Sequence, residues 1–185
     1  MSAPIPRPRP RLFLALWPDA TVRAALREQV LSWGWPDAAR RYDEADWHLT
    51  LHFLGNLPFE RLAGLRAGLA VDVEPFELVL DRAELWRSIA VLTCEQVPPE
   101  LLRLHAALGQ ALQRLGLEPD ARPYRPHLTL ARSAVGAQLA LEPPRIAWPV
   151  RGYALVRSTG DPRWRYDAVQ QYPDPQCKPE PHLIR

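Results

Sequence analysis

Apolar and polar positions along this chain fall into short runs whose period switches between two and about 3.6, the mark of mixed strands and helices. The run Arg11-Leu-Phe-Leu-Ala-Leu-Trp17, closed by Pro18, is short and continuously apolar and predicts a buried strand. Asp19 then stands where a cap is needed for a helix reaching about Trp33, with Val22, Leu26 and Val30 on one face. Residues 47–55 predict a strand that Asn56 to Pro58 stop, and residues 59–70 a helix with Leu62, Leu65 and Leu69 inward. Residues 76–80 alternate, and residues 89–94 are apolar and β-prone; the segment between them predicts a hairpin connection. Pro98 and Pro99 open the most amphipathic helix, whose stripe is Leu101, Leu104, Leu108, Leu112 and Leu115 and whose stop is Gly116. Strands follow at residues 127–131, 145–150, 153–157 and 164–170. The hairpin-like pairs favour antiparallel α+β over a parallel sheet.

Length and composition refine this only slightly. The chain has 185 residues, enough for one domain or two small lobes sharing a core, and is 47% hydrophobic. No apolar run approaches a membrane span, so the expectation is a soluble protein with no membrane partner. Residues 1–10 alternate proline and arginine without an apolar h-region and read as a flexible arm rather than a signal peptide. Residues 11–172 are expected to form the domain, and the proline-rich residues 173–185 a poorly ordered tail. Cys94 and Cys177 have neither metal-ligand spacing nor a disulfide framework, which fits a reducing cytoplasm. Net charge is only +2, yet Lys178 is the sole lysine among 23 basic residues. Arginine suits bidentate phosphate contacts, but the 21 prolines point to a general composition bias that accounts for most of these arginines.

Chemistry enters with a repeat. Trp47-His48-Leu49-Thr50-Leu51-His52-Phe53-Leu54-Gly55 is echoed by Pro126-His127-Leu128-Thr129-Leu130-Ala131-Arg132. With five histidines and five threonines in the chain, two His-x-Thr pairs arise by composition with odds of roughly 0.7%. A single such pair is usually structural; two matched copies point to function. In a strand, residues i and i+2 share a face, so each histidine stands beside its threonine. Strict alternation sends Leu49, Leu51 and Phe53 to one core and Leu128 and Leu130 to another. It puts His48, Thr50 and His52 on one face, and His127 with Thr129 on the other strand's face.

Two facing strands of this kind would line a cleft with two imidazoles and two hydroxyls. An imidazole titrates near neutrality, so one ring can take a proton from water while the other protonates a departing oxygen. The threonine hydroxyls can donate to phosphate oxygens, and Arg132 can balance charge on a pentacoordinate phosphorus. No metal or other cofactor is required. A zinc site of His48, His52 and His127 is the competing reading, but no Asp, Glu or Cys accompanies them on the strand face. Alternation also puts Arg132 on the face opposite His127, so its role needs a twist, a bulge or the strand end.

These residues resemble the two-histidine phosphoesterases, most closely the bacterial and archaeal RNA 2′,3′-cyclic phosphodiesterases, also called 2′-5′ RNA ligase-like proteins. The match comprises His48 to Gly55, the segment Tyr124-Arg125-Pro-His-Leu-Thr-Leu-Ala-Arg132, the opening Arg11-Leu-Phe-Leu-Ala-Leu, Leu155-Val-Arg-Ser158 and Arg165-Tyr-Asp-Ala-Val169. The resemblance implies a bilobal α+β fold, with two pseudo-twofold-related lobes of antiparallel sheet plus helices and the active site in the cleft between them. It implies hydrolysis of RNA 2′,3′-cyclic phosphates to 2′-phosphates, with reverse 2′-5′ ligation secondary. His48 is then the general acid toward the leaving 3′-oxygen and His127 the base that activates water. Thr50, Thr129 and Arg132 hold the phosphate. Position 52 often carries arginine in the family and carries histidine here.

His52, Phe53 and Tyr124 are candidate nucleotide contacts, and Trp164 and Tyr166 offer further aromatic surface. Arg122, Arg125, Arg163 and Arg165 are candidate contacts for neighbouring phosphates. His105 belongs to a helix stripe and is assigned to packing, as are Trp33, Trp35, Trp86 and Trp148. The expected partners are RNA ends or small cyclic-phosphate nucleotides, and the chain is expected to act as a monomer. Two competing functions are a related enzyme acting on a small cyclic nucleotide or an ADP-ribose cyclic phosphate, and a non-catalytic RNA-end binding protein.

Overall fold

The first strand explains why the chain opens on an unbroken apolar run. In the computed structural model, which describes residues 10–161 and 163–173, strand β1 (Arg11–Leu16) is buried along its last five residues. Its alternate side chains serve two different interiors. Leu12, Leu14 and Leu16 join the main core, whereas Phe13 and Ala15 join a second cluster with Ala154 and Val156, flanked by Trp17 and Tyr166. A strand buried on both faces has no polar face to display. The arm before residue 10 and the tail beyond residue 173 lie outside the described residues.

Helix α1 (Ala20–Leu31) begins where Asp19 accepts a 2.9 Å hydrogen bond from the Val22 amide, the predicted cap. After a two-residue strand β2 (Arg40–Arg41) comes β3 (Leu49–Asn56), then a 3₁₀ turn (Phe59–Arg61) leading into α2 (Leu62–Gly68). Next are β4 (Phe76–Leu80), β5 (Arg82–Trp86) and β6 (Ile89–Thr93). Helix α3 (Pro99–Arg114) starts after Pro98 and is stopped at Gly116, whose φ of 70° closes a Schellman turn. In that turn the Gly116 amide donates to the Gln113 carbonyl and the Leu117 amide to the Leu112 carbonyl, both at 2.9 Å. Strands β7 (His127–Arg132), β8 (Ile146–Val150), β9 (Tyr153–Asp161) and β10 (Trp164–Tyr172) complete the series.

The fold is antiparallel α+β in two lobes. One lobe is the sheet β10-β9-β1-β3 and the other β7-β6-β5, with β2 paired to β7. They are continuous through a single cross-strand pair, Leu49↔Leu128, the residues that follow the two motif histidines. Both leucines are fully buried in the main core, together with the inner faces of α1, α2 and α3 and with β8. One expectation fails here. Residues 76–80 and 89–93 do not form a hairpin: β4 pairs with β8 in a separate two-stranded sheet, and β6 pairs with the unpredicted β5. Strand β5 was hidden because its burial never alternates cleanly, its residues being mostly half-exposed on a lobe edge.

Candidate active site

The two motifs fold alike in detail. From His48 to Phe53 the burial runs half-buried, buried, half-buried, buried, buried, exposed; from His127 to Arg132 it runs identically. The repeated double-buried step has one cause in both strands. Along β3, Ala15 pairs with Thr50 and Leu14 with His52, leaving Leu51 as an extra residue. Along β7, Val91 pairs with Thr129 and Ala90 with Ala131, leaving Leu130 extra. The fourth residue of each His-Leu-Thr-Leu is therefore a β-bulge, and a bulge reverses the side-chain parity beyond it.

This resolves the difficulty with Arg132 and corrects the reading of His52. After the Leu130 bulge, Arg132 returns to the face of His127 and Thr129, and its Nε donates to the Tyr42 hydroxyl at 2.9 Å. After the Leu51 bulge, Phe53 takes the cleft position, 52% exposed, and His52 is turned inward at 3%. His52 does not share the face of His48 and Thr50, so it cannot join His48 and His127 around a zinc ion. Among the described residues no group of three or more His, Cys, Asp or Glu side chains is placed to hold a metal. Instead His52 donates through Nε2 to the His105 carbonyl at 2.8 Å and stacks on the His105 ring at 4.0 Å. Tyr124 stacks on the other side of His105 at 3.8 Å, with its hydroxyl 3.5 Å from the Thr50 carbonyl. His52 and Tyr124, with Phe53, border a second cavity of about 410 Å³ beside the cleft.

The cleft itself has a volume of about 510 Å³. His48, Thr50, His127, Thr129 and Arg132 line it, with Phe13, Phe53, Tyr42 and Tyr166 among the walls. Around the Leu49↔Leu128 pair, His48 and Thr129 lie on one flank and Thr50 and His127 on the other. Each imidazole is held in the same way. His48 Nδ1 lies 2.6 Å from the Asp46 carbonyl, and His127 Nδ1 lies 2.7 Å from the Arg125 carbonyl. A carbonyl only accepts, so each Nδ1 carries the proton and each Nε2 is left for the cleft. Asp46 and Arg125 are both two residues before their histidine.

Each ring also backs onto a tryptophan. His48 stacks on Trp17 at 5.0 Å and 11°, with Phe13 and Tyr166 rings also 5.0 Å away. His127 lies 4.7 Å from Trp86. Burial lowers the pKa of both: His48 to about 4, only partly offset by its bond to the Asp46 carbonyl, and His127 with further lowering from the Arg125 and Arg132 charges. Both imidazoles are neutral at neutral pH.

Sequence reasoning missed Trp17 and misassigned Trp86 to packing alone. Trp17 ends the β1 run, where Phe13 and Ala15 occupy the cleft-side parity; an all-apolar strand gives no sign of which face meets solvent. Trp86 lies on the unrecognised β5. Of the other aromatics, Tyr166 is at His48, whereas Trp164 is exposed and borders a separate cavity with Trp17 and Arg163. Arg122 reaches the cleft wall; Arg165 pairs with the Asp46 carboxylate at 3.4 Å.

Two lobes presenting paired imidazoles, paired hydroxyls and the guanidiniums of Arg132, Arg122 and Arg11 to a common cleft suit an oxyanion beside two groups able to pass protons. Known proteins agree with that class. The family model of the 2′-5′ RNA ligase superfamily matches residues 36–162. An RNA 2′,3′-cyclic phosphodiesterase of Escherichia coli K12 is 35% identical over 156 residues, covering 80% of this chain and 84% of that protein. A Thermus thermophilus protein of the same name is 34% identical over 178 residues, covering 83% and 84%. The crystal structure of E. coli LigT complexed with 3′-AMP superposes with a TM-score of 0.77 at 29% identity, covering 90% of this chain and 98% of that one. The chain belongs to the 2′-5′ RNA ligase superfamily.

Proposed function

We propose that this enzyme hydrolyses terminal RNA 2′,3′-cyclic phosphates to 2′-phosphates, with His127 as general base and His48 as general acid and without a metal ion. The observation that carries the reading is the twin imidazole arrangement: two rings fixed by Nδ1–H bonds to backbone carbonyls, each leaving Nε2 toward one cleft shared with Thr50, Thr129 and Arg132. The named activity of the E. coli and T. thermophilus relatives supports it.

In the reaction, His127 Nε2 takes a proton from water as the water oxygen attacks phosphorus. The bond from phosphorus to the 3′-oxygen breaks, and His48 Nε2 delivers its proton to that oxygen. The phosphate stays on the 2′-oxygen. Thr50 and Thr129 hydroxyls donate to the non-bridging oxygens, and Arg132 offsets the charge that grows on them. A 5′-hydroxyl in place of water would give a 2′-5′ linkage by the same two transfers.

The charges around the two rings differ, although burial lowers His48 the more strongly of the two. Arg125 and Arg132 both disfavour a charged His127, which suits a base that starts neutral. His48 has aromatic faces around it and no cationic side chain among the causes of its shift except His127 itself, and aromatic faces stabilise a cation. An arriving phosphate anion supplies the remaining drive to protonate His48. All these groups come from one chain, so the reaction needs no second copy.

The test is turnover of cyclic-phosphate-ended RNA, nucleoside 2′,3′-cyclic phosphates and ADP-ribose cyclic phosphate, each in EDTA across pH. Fastest turnover of the RNA, with a bell-shaped pH profile, is the expected outcome. Loss of all activity in EDTA, or preference for the ADP-ribose compound, would overturn the respective part of the proposal.

A further inference from the structure

The sheet register sets a row of side chains behind His127 that the proton transfers do not use. Arg82 pairs with Thr93 across β5 and β6, and Thr93 pairs with His127 across β6 and β7. Cross-strand partners project to the same face, so Glu84 and Trp86, two and four residues beyond Arg82, share the face of His127. They are tied together there. Glu84 accepts from Trp86 Nε1 at 2.6 Å and from Thr93 Oγ1 at 2.9 Å. The Arg125 guanidinium stands 3.7 Å from the same carboxylate and 4.2 Å from the centre of the Trp86 ring.

Two contacts in turn fix the His127 ring. Trp86 is the aromatic surface it rests on, and the Arg125 carbonyl accepts the hydrogen bond from its Nδ1–H. Both contacts come from residues that Glu84 anchors. We propose that Glu84 is a positioning residue for His127, holding Trp86 and Arg125 so that the imidazole keeps its Nε2 in line with the cleft. The inference rests on the reading of His127 as base.

Glu84 has a second effect on the same ring, through charge. The charged and titratable groups around His127 are Arg125, Arg132, Arg122 and His48, with Arg11, Asp46 and Asp120 further along the walls of the same cavities and Glu84 behind Arg125. Neutralising Glu84 leaves the Arg125 charge unopposed and makes His127 harder to protonate. Geometry and charge therefore separate in two variants. Glu84→Gln keeps an oxygen for Trp86 and a donor for Thr93 but loses the charge; Glu84→Ala loses all three.

The experiment measures steady-state kinetics on cyclic-phosphate-ended RNA, the pH profile, and the ring signals of His48 and His127 by NMR. For Glu84→Ala, kcat is expected to fall about 10- to 100-fold, as for a reacting group displaced by about an ångström, with KM held within about threefold. For Glu84→Gln, kcat stays within about fivefold of the wild type, while the acid limb and the His127 titration move to lower pH. In both variants the His48 signals stay in place. A Glu84→Ala enzyme within about twofold of wild-type kcat overturns the proposal, as does equal displacement of both histidines. Should Glu84→Ala fail to fold, Trp86→Phe, which keeps an aromatic ring but loses the Nε1–H bond to Glu84, takes its place, and wild-type kcat with unmoved His127 signals in that variant overturns the proposal. If the wild type does not turn over cyclic phosphates, the functional reading fails, while the His127 signals still report on positioning.

Discussion

Substrate binding should bring a proton to the site, and the size of that effect follows from the His48 environment. Burial holds His48 at a pKa of about 4. At pH 7 such a ring is protonated in about one molecule in a thousand, a deficit of about 4 kcal/mol at 1.36 kcal/mol per pH unit. An oxyanion about 4 Å away recovers about 4 kcal/mol at an effective dielectric constant of 20. The two nearly cancel, so an occupied site should titrate close to neutrality and the acid should be charged when the phosphate is present. Sulfate is a suitable probe because it has no proton of its own to exchange near neutral pH. Following the His48 and His127 ring carbons by NMR from pH 4 to 8, with and without saturating sulfate, should show His48 shifting up by about three units. His127, flanked by Arg125 and Arg132, should shift less. A His48 ring that remains neutral down to pH 5 in saturating sulfate would refute the reasoning.

Three further outcomes follow from the geometry. His48→Ala and His127→Ala should each lower kcat by about 10²- to 10⁴-fold with unchanged circular dichroism, and near-normal turnover by either would remove that residue from the reaction. Arg132→Ala should cost about 10²- to 10³-fold in kcat/KM, and Arg132→Lys should recover only part of it, because the Nε bond to Tyr42 and the planar fork are both lost; full recovery by lysine would contradict a guanidinium role. His105 is held to a pKa of about 4, first by burial and then by His52, so it is neutral in the folded state. The stability that this contributes is complete above the unfolded value near 6.5 and is lost as pH falls from there to about 4. Melting temperature should drop over that window, and His105→Phe should flatten the dependence; an unchanged slope would argue against it.

The recurring His-Leu-Thr-Leu was legible as a pair of candidate sites because histidine and threonine are scarce in this chain, five of each, and their spacing matched a strand. The strand alternation that joined His48 to Thr50, and His127 to Thr129, holds for those three-residue stretches. It fails at Leu51 and Leu130, where each strand inserts one extra residue. A bulge is set by how neighbouring strands pair, and the partners here, Leu14 with Ala15 and Ala90 with Val91, are remote in sequence. Hence Arg132 looked misplaced when it was not, and His52 looked available when it was buried. The same limitation concealed β5, because the hairpin expected between residues 76–80 and 89–94 was divided between two sheets. Helices fared better. Asp19, Pro98, Pro99 and Gly116 mark their ends by local backbone chemistry that needs no distant partner.

In the proposed reaction the water oxygen enters at one side of the phosphorus, where His127 takes its proton, and the 3′-oxygen departs at the other, where His48 protonates it. Product position reads this out. RNA ending in a 2′,3′-cyclic phosphate, incubated with the protein in EDTA and examined by phosphorus NMR, should yield the 2′-phosphate alone, with the signal unchanged over the same time for His48→Ala and for His127→Ala. A 3′-phosphate product would contradict departure of the 3′-oxygen, and wild-type conversion by both variants would contradict proton transfer by these two histidines.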